Sequence, residues 1–172
     1  MAVSTEPSIF FSKRELNQIS RVFRSMDDIA KEQAKSKIQE LVGKQLSAIR
    51  AIARSRGKVA QRVADGGQVK KSSLQGELKF GFASQRFSGG ATTQFNTRND
   101  AKGNRKGIGA GAEFGSSNYP QFPRWSGPMP KGPGSRGWFI YPAIRESQPE
   151  IIKEFDEIIT NIVKEWSDGS QQ

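Results

Sequence analysis

A stripe of apolar side chains near the end of the chain limits the fold more than any other feature. Ile151, Phe155, Ile158, Ile162 and Trp166 recur at spacings of three and four, and Ile152, Ile159 and Val163 widen the stripe. Lys153, Glu154, Asp156, Glu157 and Lys164 take the opposite side, so the period is that of an amphipathic helix. Such a helix is held by what its apolar face packs against, not by propensity alone. Ser147 and Glu150 stand in capping-box spacing, and Pro149 between them suits a first turn because its missing N–H costs nothing there. The predicted helix occupies the region 142–168, with its cap at Ser147 and a stop at Asp168-Gly169.

A surface able to receive that stripe lies at the other end of the chain. After an arm of residues 1–11, Ser12 and Glu15 form a capping box, and Phe11 with Leu16 occupies the positions of a hydrophobic staple. Leu16, Ile19, Val22, Phe23 and Met26 then line one face, and the period continues through Ile29, Ala30, Ala34, Ile38, Leu41, Val42, Leu46, Ile49 and Ile52. One unbroken helix to Arg56 would be roughly 65 Å long. A break is expected instead at Ser25, where Asp27 and Asp28 supply a second N-terminal signal, giving a short helix and then a longer one. Gly43 weakens the second without ending it. The helical region 12–64 reads as a core-packing hairpin in preference to a coiled coil, since sustained heptads with paired charges are missing. Arg50, Arg54, Arg56, Lys58 and Arg62 make its end basic, suited to a helix C-terminus or to contact with nucleic acid.

Asp65-Gly66-Gly67 reads as a turn. Beyond it, Leu74, Leu78, Phe80 and Phe82 alternate with Gln75, Glu77, Lys79 and Gly81, the pattern of a half-buried strand. Residues 83–110 lose periodicity and form a long polar loop carrying Arg86, Arg98, Lys102, Arg105 and Lys106, with Phe87 and Phe95 placed to pin it. A second strand is expected over residues 108–114, rich in small residues where another backbone comes close. Pro128, Pro130 and Pro133 make residues 127–136 a projecting loop, and a third strand is expected over residues 138–141. The expected class is therefore α+β, a single domain over residues 1–172. It comprises the short and long N-terminal helices, a small, mostly antiparallel sheet of about three strands with long loops across residues 72–141, and the C-terminal helix.

The net charge of +10 is uneven. Residues 1–71 hold fifteen Lys/Arg against seven Asp/Glu, residues 72–141 nine against three, and residues 142–172 three against seven. An acidic helix on a basic protein suits either contact between copies or a polyanion on the remaining surface. With 34% hydrophobic residues and 18 glycines, part of the buried surface is expected to come from neighbouring subunits. No run approaches the roughly 18 apolar residues of a membrane span, and the first dozen residues lack a signal-peptide pattern, so a cytoplasmic site of synthesis and no membrane are expected.

Candidate chemistry is sparse. The absence of cysteine and histidine removes disulfides, thiolate metal sites and the commonest acid/base group. Gly107-Ile-Gly109-Ala-Gly111-Ala112 formally matches a dinucleotide fingerprint, but no apolar strand precedes it and no helix is expected after it. Asp27 with Asp28, and Glu154 with Asp156 and Glu157, read more simply as a helix start and a solvated face than as cation ligands. No nucleophile–base pair can be assembled, so no enzyme activity, cofactor or metal is expected.

All three tryptophans and both tyrosines fall between Tyr119 and Trp166, which concentrates the best anchors for a core or an interface there. Phe122, Trp125, Trp138 and Tyr141 are the candidate subunit-interface anchors; intramolecular core is the competing assignment, stronger for Trp138 and Tyr141 than for Trp125. The order Gly111-Ala112-Glu113-Phe114-Gly115, an aromatic and proline segment, Trp138-Phe139-Ile140-Tyr141-Pro142-Ala143-Ile144-Arg145, Pro149-Glu150-Ile151-Ile152 and a helix resembles the tail-component family of long-tailed bacteriophages, the small head-to-tail joining or tail-completion proteins. The resemblance implies a structural virion protein of the neck or tail that assembles in the host cytoplasm. As a homo-oligomeric ring, expected as a hexamer, it would join the head connector to the tail. Neighbouring neck and tail proteins and the genomic DNA passing through the lumen would be its partners, with Arg98, Lys102, Arg105 and Lys106 as candidates to face that DNA. A terminator capping the tail tube is the near alternative. A free basic nucleic-acid-binding protein is the alternative of another class.

Overall fold

A computed structural model describes residues 13–71, 76–95, 107–115 and 137–169. Helix α1, Lys13–Ser25, ends where the second N-terminal signal lies. The Ser25 hydroxyl donates back to the Val22 carbonyl at 2.8 Å, and the Asp27 carboxylate accepts from the Ala30 N–H at 2.8 Å as the N-cap of α2, Asp28–Ser55. The break is thus local chemistry, an acceptor supplied to an orphan donor. Helix α2 continues through Gly43 for 28 residues, roughly 42 Å at the helical rise. The stripe read from the sequence is its buried face: Ala30, Ala34, Ile38, Leu41, Leu46 and Ile49. Ile29 is an exception. Counted in the stripe, it is 75% exposed, because Ala30 and Ala34 set the packed face and Ile29 lies about 100° away from Ala30 around the helix. The box at Ser12 and Glu15 and the staple of Phe11 and Leu16 rest on side chains outside the described residues.

The helical region does not run on to residue 64 as one basic end. At Gly57 the backbone adopts φ 109°, and a separate helix α3, Lys58–Asp65, folds back so that Ala60, Val63 and Ala64 pack on Ile49 and Ala53. Arg50 holds this turn-back in place. Its guanidinium donates to the carbonyls of Ala64 (3.3 Å), Asp65 (3.1 Å) and Gly67 (3.0 Å) at the end of α3, where free carbonyls and the helix dipole favour a cation.

Among the described residues the sheet is smaller than the three strands expected. Strand β1, Gln68–Val69, pairs antiparallel with β2, Leu78–Lys79, in the register Gln68↔Lys79 and Val69↔Leu78; the ion pair Lys70–Glu77 closes it at 2.8 Å. The two other expected strands are helical. Residues 108–114 enter α4, Gly109–Phe114, because the Ile108 and Gly109 N–H groups find acceptors in the carbonyls of Thr92 (2.9 Å) and Gln94 (3.0 Å). The close backbone approach anticipated there is real, but it seats the head of a short helix. Residues 138–141 lead into α5, Ile140–Gly169. This helix starts before Ser147, carries Pro149 in its interior, and ends at the expected stop. Ser147 is no cap: its hydroxyl bonds the Ala143 carbonyl at 2.7 Å and Gln45 Oε1 on α2.

The result is mostly helical, with a two-strand hairpin and a long C-terminal helix laid along α2. The two long helices run in opposite directions, since Trp138 meets Arg56, Ser147 meets Gln45, and Glu154 meets Lys44. Two apolar clusters sit along them. One joins Ile49, Ala53, Val63, Ala112, Phe139 and Ile144, and the other joins Phe23, Met26, Ile38, Leu41, Phe155 and Ile162. No described helix is long and apolar enough to cross a membrane.

Candidate functional site

The first turn of any helix exposes N–H groups with no partner inside the helix. In α5 they are captured by one side chain from another element. Glu113, near the end of α4, is 1% exposed. Its Oε2 accepts from the N–H of Phe139 at 3.1 Å and of Ile140 at 3.0 Å, and its Oε1 accepts from Tyr141 N–H at 2.8 Å. A negative group at the positive end of a 30-residue helix is favoured by the macrodipole as well as by these bonds. Burial pushes the Glu113 carboxyl above its ordinary range, while the bonds from Tyr141, Ile140, Phe139 and Trp138 pull it back down. Gly137 makes the approach possible. It holds φ 111°, and a Cβ there would lie 2.5 Å from Glu113 Oε1 and 2.6 Å from Tyr141 Cβ.

Aromatic rings surround this clasp. Tyr141 packs at 5.4 Å on Phe114, the neighbour of Glu113 in sequence. Trp138 donates its indole N–H to the Arg56 carbonyl at 3.3 Å, and the Arg56 guanidinium stacks over the indole at 4.6 Å. One step further, Arg62 of α3 lies over the Phe87 ring at 5.2 Å and donates to the Arg86 carbonyl at 2.6 Å. Gln85 reaches the Arg62 carbonyl through its amide, and buried Thr93 ties Phe82 N–H (3.0 Å) and Gln85 Oε1 (2.7 Å) together. Phe87 and Phe95 do pin this segment, Phe87 under Arg62 and Phe95 against the first apolar cluster.

Of the expected site residues, Trp138 and Tyr141 are brought together here, both half-buried against the first cluster. Phe122, Trp125, Arg98, Lys102, Arg105 and Lys106 lie outside the described residues, as do Leu74 and the proline loop. Glu113 was read only as part of a motif. Its signal was available, since it is the sole acidic residue between Asp100 and Glu146 and stands between Ala112 and Phe114.

The clasp is built for positioning. Both carboxylate oxygens are committed to amides, so proton exchange with a substrate has no open face. Asp27 is a helix cap, and Glu154 pairs with Lys44 at 3.0 Å. Among the described residues no three His, Cys, Asp or Glu side chains group as metal ligands. The dinucleotide pattern runs into a six-residue helix, where Gly109 donates its N–H to the Gln94 carbonyl at 3.0 Å and leaves no room for a Cβ against the Thr93 carbonyl. A shallow groove of about 450 Å³ between Pro149 and Asn161 is lined by α5 alone. No family model, curated protein or solved structure matches the chain.

Proposed function

We propose that this chain is a structural protein of the neck or tail of a long-tailed phage. It joins the head connector to the tail as one subunit of an oligomeric ring around the DNA passage. The observation that carries this reading is the Glu113 clasp. The Glu-Phe-Gly segment and the aromatic-Pro-Ala-Ile-Arg segment are separated by more than twenty residues in sequence, yet a single carboxylate makes them one unit. That unit fixes where a long helix begins and spends on scaffolding the one buried acid among the described residues, which fits assembly better than catalysis. The uneven charge supports the ring: Glu146, Glu150, Asp156, Glu157, Glu165 and Asp168 are exposed along α5, on a protein whose remainder is strongly basic, and a heterologous contact between unlike surfaces builds a ring when its rotation closes. Phe122 and Trp125 are the proposed anchors between subunits, while Trp138 and Tyr141 pack against the first apolar cluster.

The mass of the full-length protein in solution tests the reading, measured alone and after mixing with purified head connectors or tail tubes. A ring, formed spontaneously or on addition of either partner, is the expected outcome. Assembly on connectors favours the completion role, and assembly on tail tubes favours the terminator. A monomer indifferent to both sinks the proposal.

A further inference from the structure

We propose that the corner where α2 turns into α3 is the surface through which this protein meets the phosphate backbone of double-stranded DNA. The inference deepens the ring reading, because it names the DNA-facing part of the subunit. Arg54 and Arg56 at the end of α2, Lys58 and Arg62 on α3, and Arg86 beside them are all exposed. Lys58 and Arg62 are four apart and share one face of their helix. None of the five joins an ion pair among the described residues. The exposed acid on this element is Asp65 at the end of α3, which joins none of the five in an ion pair among the described residues; Glu113 is buried and spent on the head of α5. The corner therefore presents five cations against the single carboxylate of Asp65.

Two of those cations are held in place. Arg56 lies over the Trp138 indole at 4.6 Å, and Arg62 lies over Phe87 at 5.2 Å with one nitrogen fixed on the Arg86 carbonyl at 2.6 Å. A guanidinium laid on a ring keeps its N–H edge outward and has little rotamer freedom left to lose. Its planar fork matches phosphate oxygens. Chemistry also separates DNA from an acidic protein surface such as α5 of a second copy. Protein interfaces are centred on apolar side chains with charge at the rim, and this corner exposes no large apolar residue; Ile29, the one exposed large apolar side chain among the described residues, sits at the far end of α2. Cations without an apolar centre fit a backbone whose contacts are ionic and sequence-independent. In the sequence, Arg54, Arg56, Lys58 and Arg62 suit either a helix C-terminus or contact with nucleic acid. Arg50, counted with them, is withdrawn by the structure to hold the end of α3.

The test is fluorescence anisotropy of a labelled random-sequence duplex with the full-length protein, from low to physiological salt. The wild type is compared with Arg54→Ala/Lys58→Ala and with a control, Arg14→Ala/Lys153→Ala, on exposed positions of α1 and α5. Circular dichroism melts confirm that each folds. The expected result is salt-dependent binding by the wild type, weakened about tenfold or more in the corner variant. The slope of log K against log salt should be shallower by about 1.8, the loss of two phosphate contacts, and the control should keep the full slope. No DNA binding at low salt, or an equal slope in both variants, overturns the proposal. A corner variant that binds DNA like wild type but no longer assembles overturns it too, and assigns the corner to contact between copies. Solution mass read on the same samples keeps the two claims apart: absent assembly with a corner-dependent slope removes the ring and leaves the DNA surface standing, whereas normal assembly with an unchanged slope does the reverse.

Discussion

Glu113 shows how much one residue can organise when it is buried where a helix must begin. Replacing it by alanine leaves the amides of Phe139, Ile140 and Tyr141 without their acceptor in the interior, and a loss of about 3 kcal/mol is expected in denaturant unfolding. Glu113→Gln keeps one oxygen but turns an amide nitrogen toward an N–H, so its cost is smaller, about 1–2 kcal/mol. The sign of the pH dependence follows from burial. Because desolvation raises the folded carboxyl above its unfolded value, the folded state holds the proton more tightly. The stability this group contributes is full below the unfolded carboxyl range and is lost as pH rises through the raised value. Subtracting the Glu113→Gln curve from that of wild type should isolate a stability that falls with rising pH over that window. A flat or rising difference would mean that the amide bonds outweigh burial.

At the scale of elements, what could be read ahead divides by the range of the interactions involved. The end of α1 and the start of α2 were legible because Ser25 and Asp27 act on backbone groups three residues away. The start of α5 was not. Ser147 and Pro149 imitate a first turn, but the donors that needed an acceptor lie upstream and receive it from Glu113, more than twenty residues earlier. Residues 108–114 went the same way, since small and β-tolerant residues read as a strand until acceptors from residues 92 and 94 meet their amides. Two glycines of α2 and its end are expected to respond with opposite signs. A Cβ at Gly43 meets nothing within 4 Å, so Gly43→Ala should stabilise by about 0.8 kcal/mol through helix propensity. At Gly57, φ 109° strains any L side chain, so Gly57→Ala should destabilise by about 1 kcal/mol or more. Thermal melts of the two variants check both.

Across the whole molecule, the two apolar clusters are strung on the same pair of helices, with Ile49 and Ile144 in one and Ile38 and Phe155 in the other. Continuous helices couple them, so unfolding should be a single transition. Trp138 reports the first cluster and Trp166 the second. Variants that keep only one of these tryptophans as fluorophore, the others changed to phenylalanine, should melt with coincident midpoints; two separated midpoints would show the ends to be independent. The sequence by itself determined the long helices, their buried faces, the break between the first two and the charge of each region, because helical period, capping and composition are written within a few residues of where they act. Tertiary structure alone decided that two apparent strands are helix heads, that Arg50 is spent inside while Arg54 and Lys58 face out, and that the buried Glu113 carboxylate clasps α5. Each of those depends on which distant backbone group lacks a partner, and that is settled only when the chain has folded back on itself.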